Sequence, residues 1–197
     1  AWVGALLMGA AVIAFIAANW DGLSRLTRFG LVLAFFVAAV GAGAWAAHKQ
    51  RTMFANIALT VSALVFAAAV GLTGQIFDIA GQPRAALYIA GIAALALALA
   101  GRAPGAACVG LVLIAFGDFE GRQWFAGIHS EAPWMLLAAP LGAWLALRWS
   151  SAPLAHLSAL ALIYCGAWFA MKTEAEAGAY LFLAIVLAAM AAGARWL

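Results

Sequence analysis

This chain of 197 residues is 69% hydrophobic and only 9% charged, and its formal net charge is +3. A soluble domain carries about 25% charged residues, so a water-soluble core would not accommodate this much apolar surface. The composition therefore excludes a soluble enzyme or binding domain, and the small net charge gives no footprint for binding nucleic acid. Lipid must solvate most of the chain, and the sequence predicts a membrane protein.

The apolar residues form eight runs, most of them near the length of about 20 residues that a helix needs to cross a bilayer. They predict an all-α fold, a polytopic membrane helix bundle of about eight transmembrane helices that forms one domain over residues 1–197. The predicted helices cover residues 1–20, 29–47, 55–76, 85–101, 104–118, 133–148, 153–171 and 178–195. The chain begins inside one apolar run and ends just past another, so we expect it to be a fragment of a longer chain.

The acidic residues are confined to alternate helix ends and loops, because a carboxylate in lipid is costly. All seven follow the first, third, fifth and seventh predicted helices, on the side that we name the acidic face: Asp21, Asp78, Asp118, Glu120, Glu131, Glu174 and Glu176. The opposite side, the basic face, has short loops without acids and carries Lys49, Arg51, Arg102, Arg148 and Arg195. Both sides hold equally many bases, so the acid-free loops decide the expected topology. We expect the basic face and the N-terminus to lie in the cytoplasm.

Three tryptophans each precede a basic residue by four positions, which is one helical turn. The pairs are Trp45 with Lys49, Trp144 with Arg148, and Trp168 with Lys172. This spacing is typical of an interfacial indole beside a cation that extends to the headgroups. We interpret these six residues as interface anchors. A duplication of four helices is the alternative, but the third pair falls on the opposite face from the first two, which favours anchoring.

The most unusual stretch ends the third predicted helix and continues into a turn. Its polar residues Gln75 and Asp78 follow two glycines in the last turns of the span, and Arg84 comes just after Gly81 and Pro83. One interpretation is a capped hairpin in which Arg84 pairs with Asp78. The other is a small polar pocket, because polar residues inside a membrane indicate function by default.

The fifth predicted helix ends in a second polar stretch, which is the longest loop. Its carboxylates Asp118, Glu120 and Glu131 stand near His129, so they could bind a cation or act as acid and base. They lack the spacing of metal ligands, however. The favoured interpretation is a solvated amphipathic loop on the headgroups.

The first helix ends in Asn19-Trp20, and two helices later the chain has Gly74-Gln75-Ile76 followed by an aromatic residue and a glycine-containing turn. This pattern resembles the bacterial predicted-membrane-protein family named Domain of Unknown Function 2157, over roughly residues 1–100. The family usually has Tyr and an acid where this chain has Phe77 and Gln82. The resemblance implies a multi-pass inner-membrane protein and no established activity.

Two functional hypotheses remain. The first is a non-catalytic accessory or structural subunit, because no predicted helix has a charge at its centre, as ion-coupled transporters do. The second is a binder, transporter or enzyme for a lipid or small molecule at the outer leaflet. Its candidate polar cluster on the acidic face comprises Asn19, Trp20, Asp21, Gln75, Asp78, Gln82, Arg84, Asp118, Glu120 and Arg122. We expect membrane lipids and other membrane subunits as partners, no nucleic acid, no cofactor, no metal site and no catalytic residue.

Overall fold

The computed structural model describes residues 22–77, 82–119 and 133–173. They form six helices: α1 Arg25–His48, α2 Thr52–Ile76, α3 Pro83–Gly101, α4 Pro104–Phe119, α5 Met135–Trp149 and α6 Ala152–Thr173. These described residues contain no strand, so the expected all-α class is confirmed for them. The first and last predicted helices, 1–20 and 178–195, lie outside the described residues, and a total of eight stays a prediction.

Among the residues that the structure describes, three helices are long and apolar enough to cross a membrane. They are α1, the segment Thr52–Gly74 of α2, and α3. The apolar parts of α4, α5 and α6 are shorter, at Pro104–Phe119, Met135–Trp149 and Ala152–Trp168. The bilayer can thin locally to accommodate a helix that is shorter than its hydrocarbon thickness.

Tight turns at the basic face join the helices into three hairpins. Each turn places one residue in the left-handed region, namely Gln50 at φ 57, Arg102 at φ 49 and Ser150 at φ 50. The N–H of the following residue then donates to a carbonyl five residues back, on Ala46, Ala98 and Ala146 respectively. This closure satisfies carbonyls that the end of a helix leaves unpaired. The next helix begins two residues after each left-handed residue, so the three hairpins share one turn geometry.

The core surrounds α4, which packs against α2, α3, α5 and α6. Close approach to α3 depends on two facing glycines. A Cβ on Gly91 would lie 2.6 Å from Ile114 Cγ1 and 3.0 Å from the carbonyl oxygen of Gly110. Van der Waals contact drives helix packing in lipid, and small residues let backbones approach closely. The glycine pair therefore sets the spacing of α3 and α4.

The start of α4 is capped by a side chain from another helix. Asn56, in the first turns of α2, accepts a hydrogen bond of 2.9 Å at Oδ1 from the backbone N–H of Gly105. Thr60 Oγ1 in turn donates to the carbonyl of Asn56 at 2.6 Å. Because helix N-termini carry unpaired N–H groups, this amide satisfies a donor that lipid would leave unsatisfied. It fixes the basic-face end of α4 against α2.

Candidate functional site at the acidic face

The acidic-face ends of α3, α4 and α5 meet around the carboxylate of Asp118. This side chain has no exposed surface. Its Oδ1 accepts hydrogen bonds from the Tyr88 hydroxyl at 2.8 Å and from the backbone N–H of Trp134 at 3.0 Å. Its Oδ2 accepts from the N–H of Met135 at 2.9 Å. Asp118, in the last turn of α4, therefore caps the N-terminus of α5.

Tyr88 reaches this carboxylate because α4 has a glycine at the point of contact. Gly117 directly precedes Asp118, and a Cβ on it would lie 2.6 Å from Tyr88 Cε1 and 2.7 Å from Cδ1. Any larger residue would push the ring away from α4. The pair Gly117-Asp118 thus combines a surface for the aromatic ring with an acceptor for its hydroxyl.

Arg84 extends the network by one turn of α3. Its Nε donates to the Tyr88 hydroxyl at 2.9 Å, and its guanidinium carbon lies 5.5 Å from the centre of the Tyr88 ring. The hydroxyl therefore accepts from Arg84 while it donates to Asp118. On the other side, the rings of Tyr88 and Trp134 are 5.5 Å apart. We name Arg84, Tyr88, Asp118 and Trp134 the acidic-face network.

The acidic-face network connects the ends of three helices through hydrogen bonds to one carboxylate. Buried charge needs partners, and here three donors and the positive end of the α5 dipole surround one carboxylate. Asp118 is the only acidic residue among those described, so the described residues offer no carboxylate pair for acid–base work. Those residues also contain no group of three His, Cys, Asp or Glu side chains that could hold a metal.

Only three members of the candidate polar cluster have described side chains. The structure joins Arg84 and Asp118 through Tyr88, while Gln82 is exposed at the N-cap of α3 and makes no side-chain capping bond. Gln75 belongs to the last turn of α2, and its side chain is not described. The others lie outside the described residues: Asn19, Trp20, Asp21, Asp78, Glu120 and Arg122. The expected pair of Arg84 with Asp78 stays a prediction for the same reason.

The interpretation of the second polar stretch as a solvated loop is wrong for Asp118. Its place at the end of a helix agrees with the predicted helix 104–118, but its carboxylate is fully buried, whereas solvation would leave it exposed. The physical reason is the cap: two backbone N–H groups and a hydroxyl replace water around the carboxylate. The remaining carboxylates of that stretch, Glu120 and Glu131, lie outside the described residues.

The expected interface anchors lie in these places. Trp45 and Trp144 are exposed large side chains, and Trp168 is partly buried. The cation over the Trp45 ring is the guanidinium of Arg51, at 5.7 Å, although the four-residue spacing points to Lys49. Lys49 and Arg148 are exposed at the basic-face ends of α1 and α5, and the side chain of Lys172 is not described.

The family model for the predicted membrane proteins called DUF2157 matches residues 1–107, which is more than half of the chain. This chain belongs to the DUF2157 family. The match agrees with the resemblance seen in Asn19-Trp20 and Gly74-Gln75-Ile76. No curated protein and no solved structure matches the chain.

The DUF2157 match divides the acidic-face network. Arg84 and Tyr88 lie within the matched residues, whereas Asp118 and Trp134 come after residue 107. The network therefore attaches the matched N-terminal part to the helices that follow it. Phe77, where the family usually has Tyr, packs its ring on Phe29 at a centroid distance of 5.9 Å and an angle of 72°. This contact brings the end of α2 to the start of α1.

Sequence reasoning missed Tyr88 and Trp134, which complete the acidic-face network. Both are aromatic residues near predicted helix ends, where interfacial anchoring is the ordinary interpretation. The sequence does contain one indication of this network. Tyr88 stands four residues after Arg84 on the same helix face, and a glycine directly precedes Asp118. The hydrogen bond between Tyr88 and Asp118 joins residues that are 30 positions apart, so it forms only when α3 packs on α4.

Proposed function

We propose that the chain is a non-catalytic accessory or structural subunit of a complex in the bacterial inner membrane. In this proposal eight helices cross the membrane, and the N-terminus and the basic face are cytoplasmic. The observation that carries the proposal is the use of Asp118. Carboxylates in membrane helices usually serve function, but the carboxylate of Asp118 is buried and caps α5, so a substrate cannot reach it.

Other polar side chains of the described helices support the same conclusion. Ser62 and Thr73 donate to carbonyls four residues earlier in their own helix, at 2.8 Å and 2.7 Å. Asn56 caps α4. Polar groups in lipid must find partners within the protein, and these side chains find them along the backbone. The exceptions among the described residues are Ser158 Oγ and Trp168 Nε1, which are buried without a hydrogen-bond partner.

Helix α1 supports an accessory role because it has a large surface to offer to a partner. Only Gly43 and Ala46 are buried along its 24 residues. Large apolar side chains such as Leu26 and Val37 are exposed by 75% and 60%. Such a face suits lipid or the helices of another membrane subunit.

Native mass spectrometry of the complex, gently extracted from its own membrane, tests this proposal. We expect a second protein bound in stoichiometric amount. A chain that comes off alone, carrying one specific small molecule, would overturn the subunit proposal. If a second protein is bound, its activity defines the function that the chain serves.

Cysteine labelling tests the proposed orientation. The two native cysteines, Cys108 and Cys165, are free and are replaced by Ala. Single cysteines are then placed at Ser150 on the basic face and at Ser24 near the start of α1, and intact spheroplasts receive a maleimide that does not cross membranes. We expect labelling at Ser24→Cys and none at Ser150→Cys until the cells are lysed. The opposite pattern contradicts a cytoplasmic basic face.

A second candidate function is binding of a small molecule or lipid headgroup at the acidic face. The observation that favours it is the guanidinium of Arg84, which donates to the Tyr88 hydroxyl and comes six residues after Asp78 in the sequence. Loss of a measured ligand interaction in Gln75→Ala and Asp78→Ala would support this candidate. Full tolerance of both substitutions would exclude it.

A further inference from the structure

An apolar groove of about 290 Å³ runs between α4 and α6. Its walls are Leu111, Ala115 and Phe119 from α4, and Leu157 and Tyr164 from α6. Both walls continue outward into exposed apolar side chains, with Phe116 exposed by 60% and Leu160 by 64%. The groove therefore opens sideways, through the surface that a membrane protein presents to lipid.

The groove extends along α4 over a length close to the thickness of one leaflet. Leu111 and Phe119 are eight residues apart on α4, which corresponds to about 12 Å of helix. A bilayer has a hydrocarbon core of about 30 Å, so one leaflet contributes about 15 Å. Phe119 is the last residue of α4, so the groove extends from the acidic-face end of that helix toward its middle. Along α4 it occupies the half of the helix nearest the acidic face.

The acidic-face end of the groove has the features of a headgroup level. Tyr164 contacts Phe119 there, with 5.2 Å between the ring centres. Tyrosine side chains are enriched where hydrocarbon meets headgroups, because the ring is apolar and the hydroxyl is polar. Met135, which donates its N–H to Asp118, is the part of α5 that lines the groove.

We propose that this groove holds one hydrocarbon chain of a membrane lipid from the leaflet at the acidic face. The groove is continuous with the lipid-facing surface of a protein whose family places it in the membrane. Its lining is apolar throughout its depth, and its one phenolic hydroxyl, on Tyr164, belongs to a residue at the headgroup end. An acyl chain fits this distribution, since its polar part stays at the membrane surface. The site goes beyond the proposed subunit role, because it requires no protein partner.

Photocrosslinking in membranes tests this site. The full chain is reconstituted into vesicles of phosphatidylethanolamine and phosphatidylglycerol that contain a phospholipid with a diazirine within one acyl chain. Mass spectrometry then locates the lipid adducts after illumination. We expect adducts at Leu111, Ala115 and Leu157 to exceed those at Val37, which is exposed on α1 and lies outside the groove.

A variant that fills the groove gives the second readout. Ala115→Phe places a ring inside it, and we expect adducts at Leu111 and Leu157 to fall about tenfold, the equivalent of ~1.4 kcal/mol. The matched control is Ala38→Phe on the exposed side of α1, which should leave those adducts unchanged.

Two outcomes would overturn the proposal. In one, groove residues of the unmodified chain are labelled no more than Val37, which indicates bulk lipid only. In the other, they remain unlabelled while Val37 is labelled, which indicates that protein and not lipid fills the groove. Both outcomes are read on the unmodified chain, so they hold even if Ala115→Phe fails to fold.

Discussion

The hydroxyl of Tyr88 on α3 donates a 2.8 Å hydrogen bond to Asp118 on α4, across 30 residues of sequence. The same carboxylate oxygen accepts from the N–H of Trp134, and the other oxygen accepts from the N–H of Met135 at the start of α5. One side chain therefore joins three helices at a site that is closed to water. Since an unpaired polar group there is costly, the three helix ends must either stay together or expose unsatisfied donors.

Substitution of Asp118 should separate the effect of the cap from that of side-chain volume. Asp118→Ala removes every acceptor and leaves the O–H donor of Tyr88 and two backbone N–H groups unpaired, so we expect a loss of about 3 kcal/mol in unfolding free energy. Asp118→Asn keeps one oxygen, which can still accept from Tyr88 and Trp134, and should cost about 1 kcal/mol. Titration with SDS from mild detergent micelles measures both values. Equal stability of Asp118→Ala and the unmodified chain would contradict a stabilising role of the acidic-face network.

Removal of the Tyr88 hydroxyl tests the other half of the bond. Tyr88→Phe keeps the ring against Gly117 and Trp134 but removes one donor to Asp118, and should cost about 1 kcal/mol. In combination with Asp118→Ala the two losses should not add, because both substitutions remove the same hydrogen bond. A double-mutant cycle on the same SDS titration measures this coupling. Strict additivity would mean that the two side chains stabilise the fold independently.

Glycine-to-alanine substitutions should have opposite signs at two sites in the bundle. A Cβ on Gly91 meets Ile114 and the Gly110 carbonyl, so Gly91→Ala must force α3 from α4 and should cost about 2 kcal/mol. Gly41 in α1 has nothing within 4 Å of the same position. Gly41→Ala should therefore stabilise the protein by up to about 1 kcal/mol, because alanine is the better helix former. The midpoint of thermal unfolding in detergent should move down for the first variant and up for the second.

The cap on α4 should respond to Asn56 in a graded way. Asn56→Ala removes the acceptor of the Gly105 N–H and should destabilise the protein by about 1 kcal/mol. Asn56→Asp keeps an acceptor at that position beside the positive end of the α4 dipole and should retain most of the stability. The SDS titration compares the two. A larger loss in Asn56→Asp than in Asn56→Ala would indicate that burial of charge outweighs the cap.

Composition and apolar runs predicted the helical class because those features are local. Gly, Pro and the charged residues interrupt the apolar runs at Lys49, Arg102 and Arg148, and these are the places where the described helices end. The same reasoning placed Asp118 at a helix end, since a carboxylate in the middle of a span is costly. Local chemistry was enough for each of these conclusions.

The candidate site could be predicted only in part because its contacts are not local. Arg84 and Asp118 are both polar residues of the acidic face, so sequence placed them on one side of the membrane. What joins them is Tyr88, and its position depends on how closely α3 approaches α4. That approach depends on Gly91 and Gly110, whose pairing no periodicity reveals. The burial of Asp118 follows from the same packing and was missed with it.

The shared turn of the three hairpins leads to a prediction about the basic face. Gln50 adopts φ 57, in a region that costs a residue with a Cβ about 1 kcal/mol, whereas Lys49 beside it has an ordinary φ of −80. Gln50→Gly should relieve this strain and raise the unfolding free energy by up to about 1 kcal/mol, less the greater freedom of glycine in the unfolded chain. Lys49→Gly is the matched control and should only destabilise, because it gains flexibility and relieves no strain. If both variants lose stability equally in the SDS titration, the left-handed residue does not limit the stability of this turn.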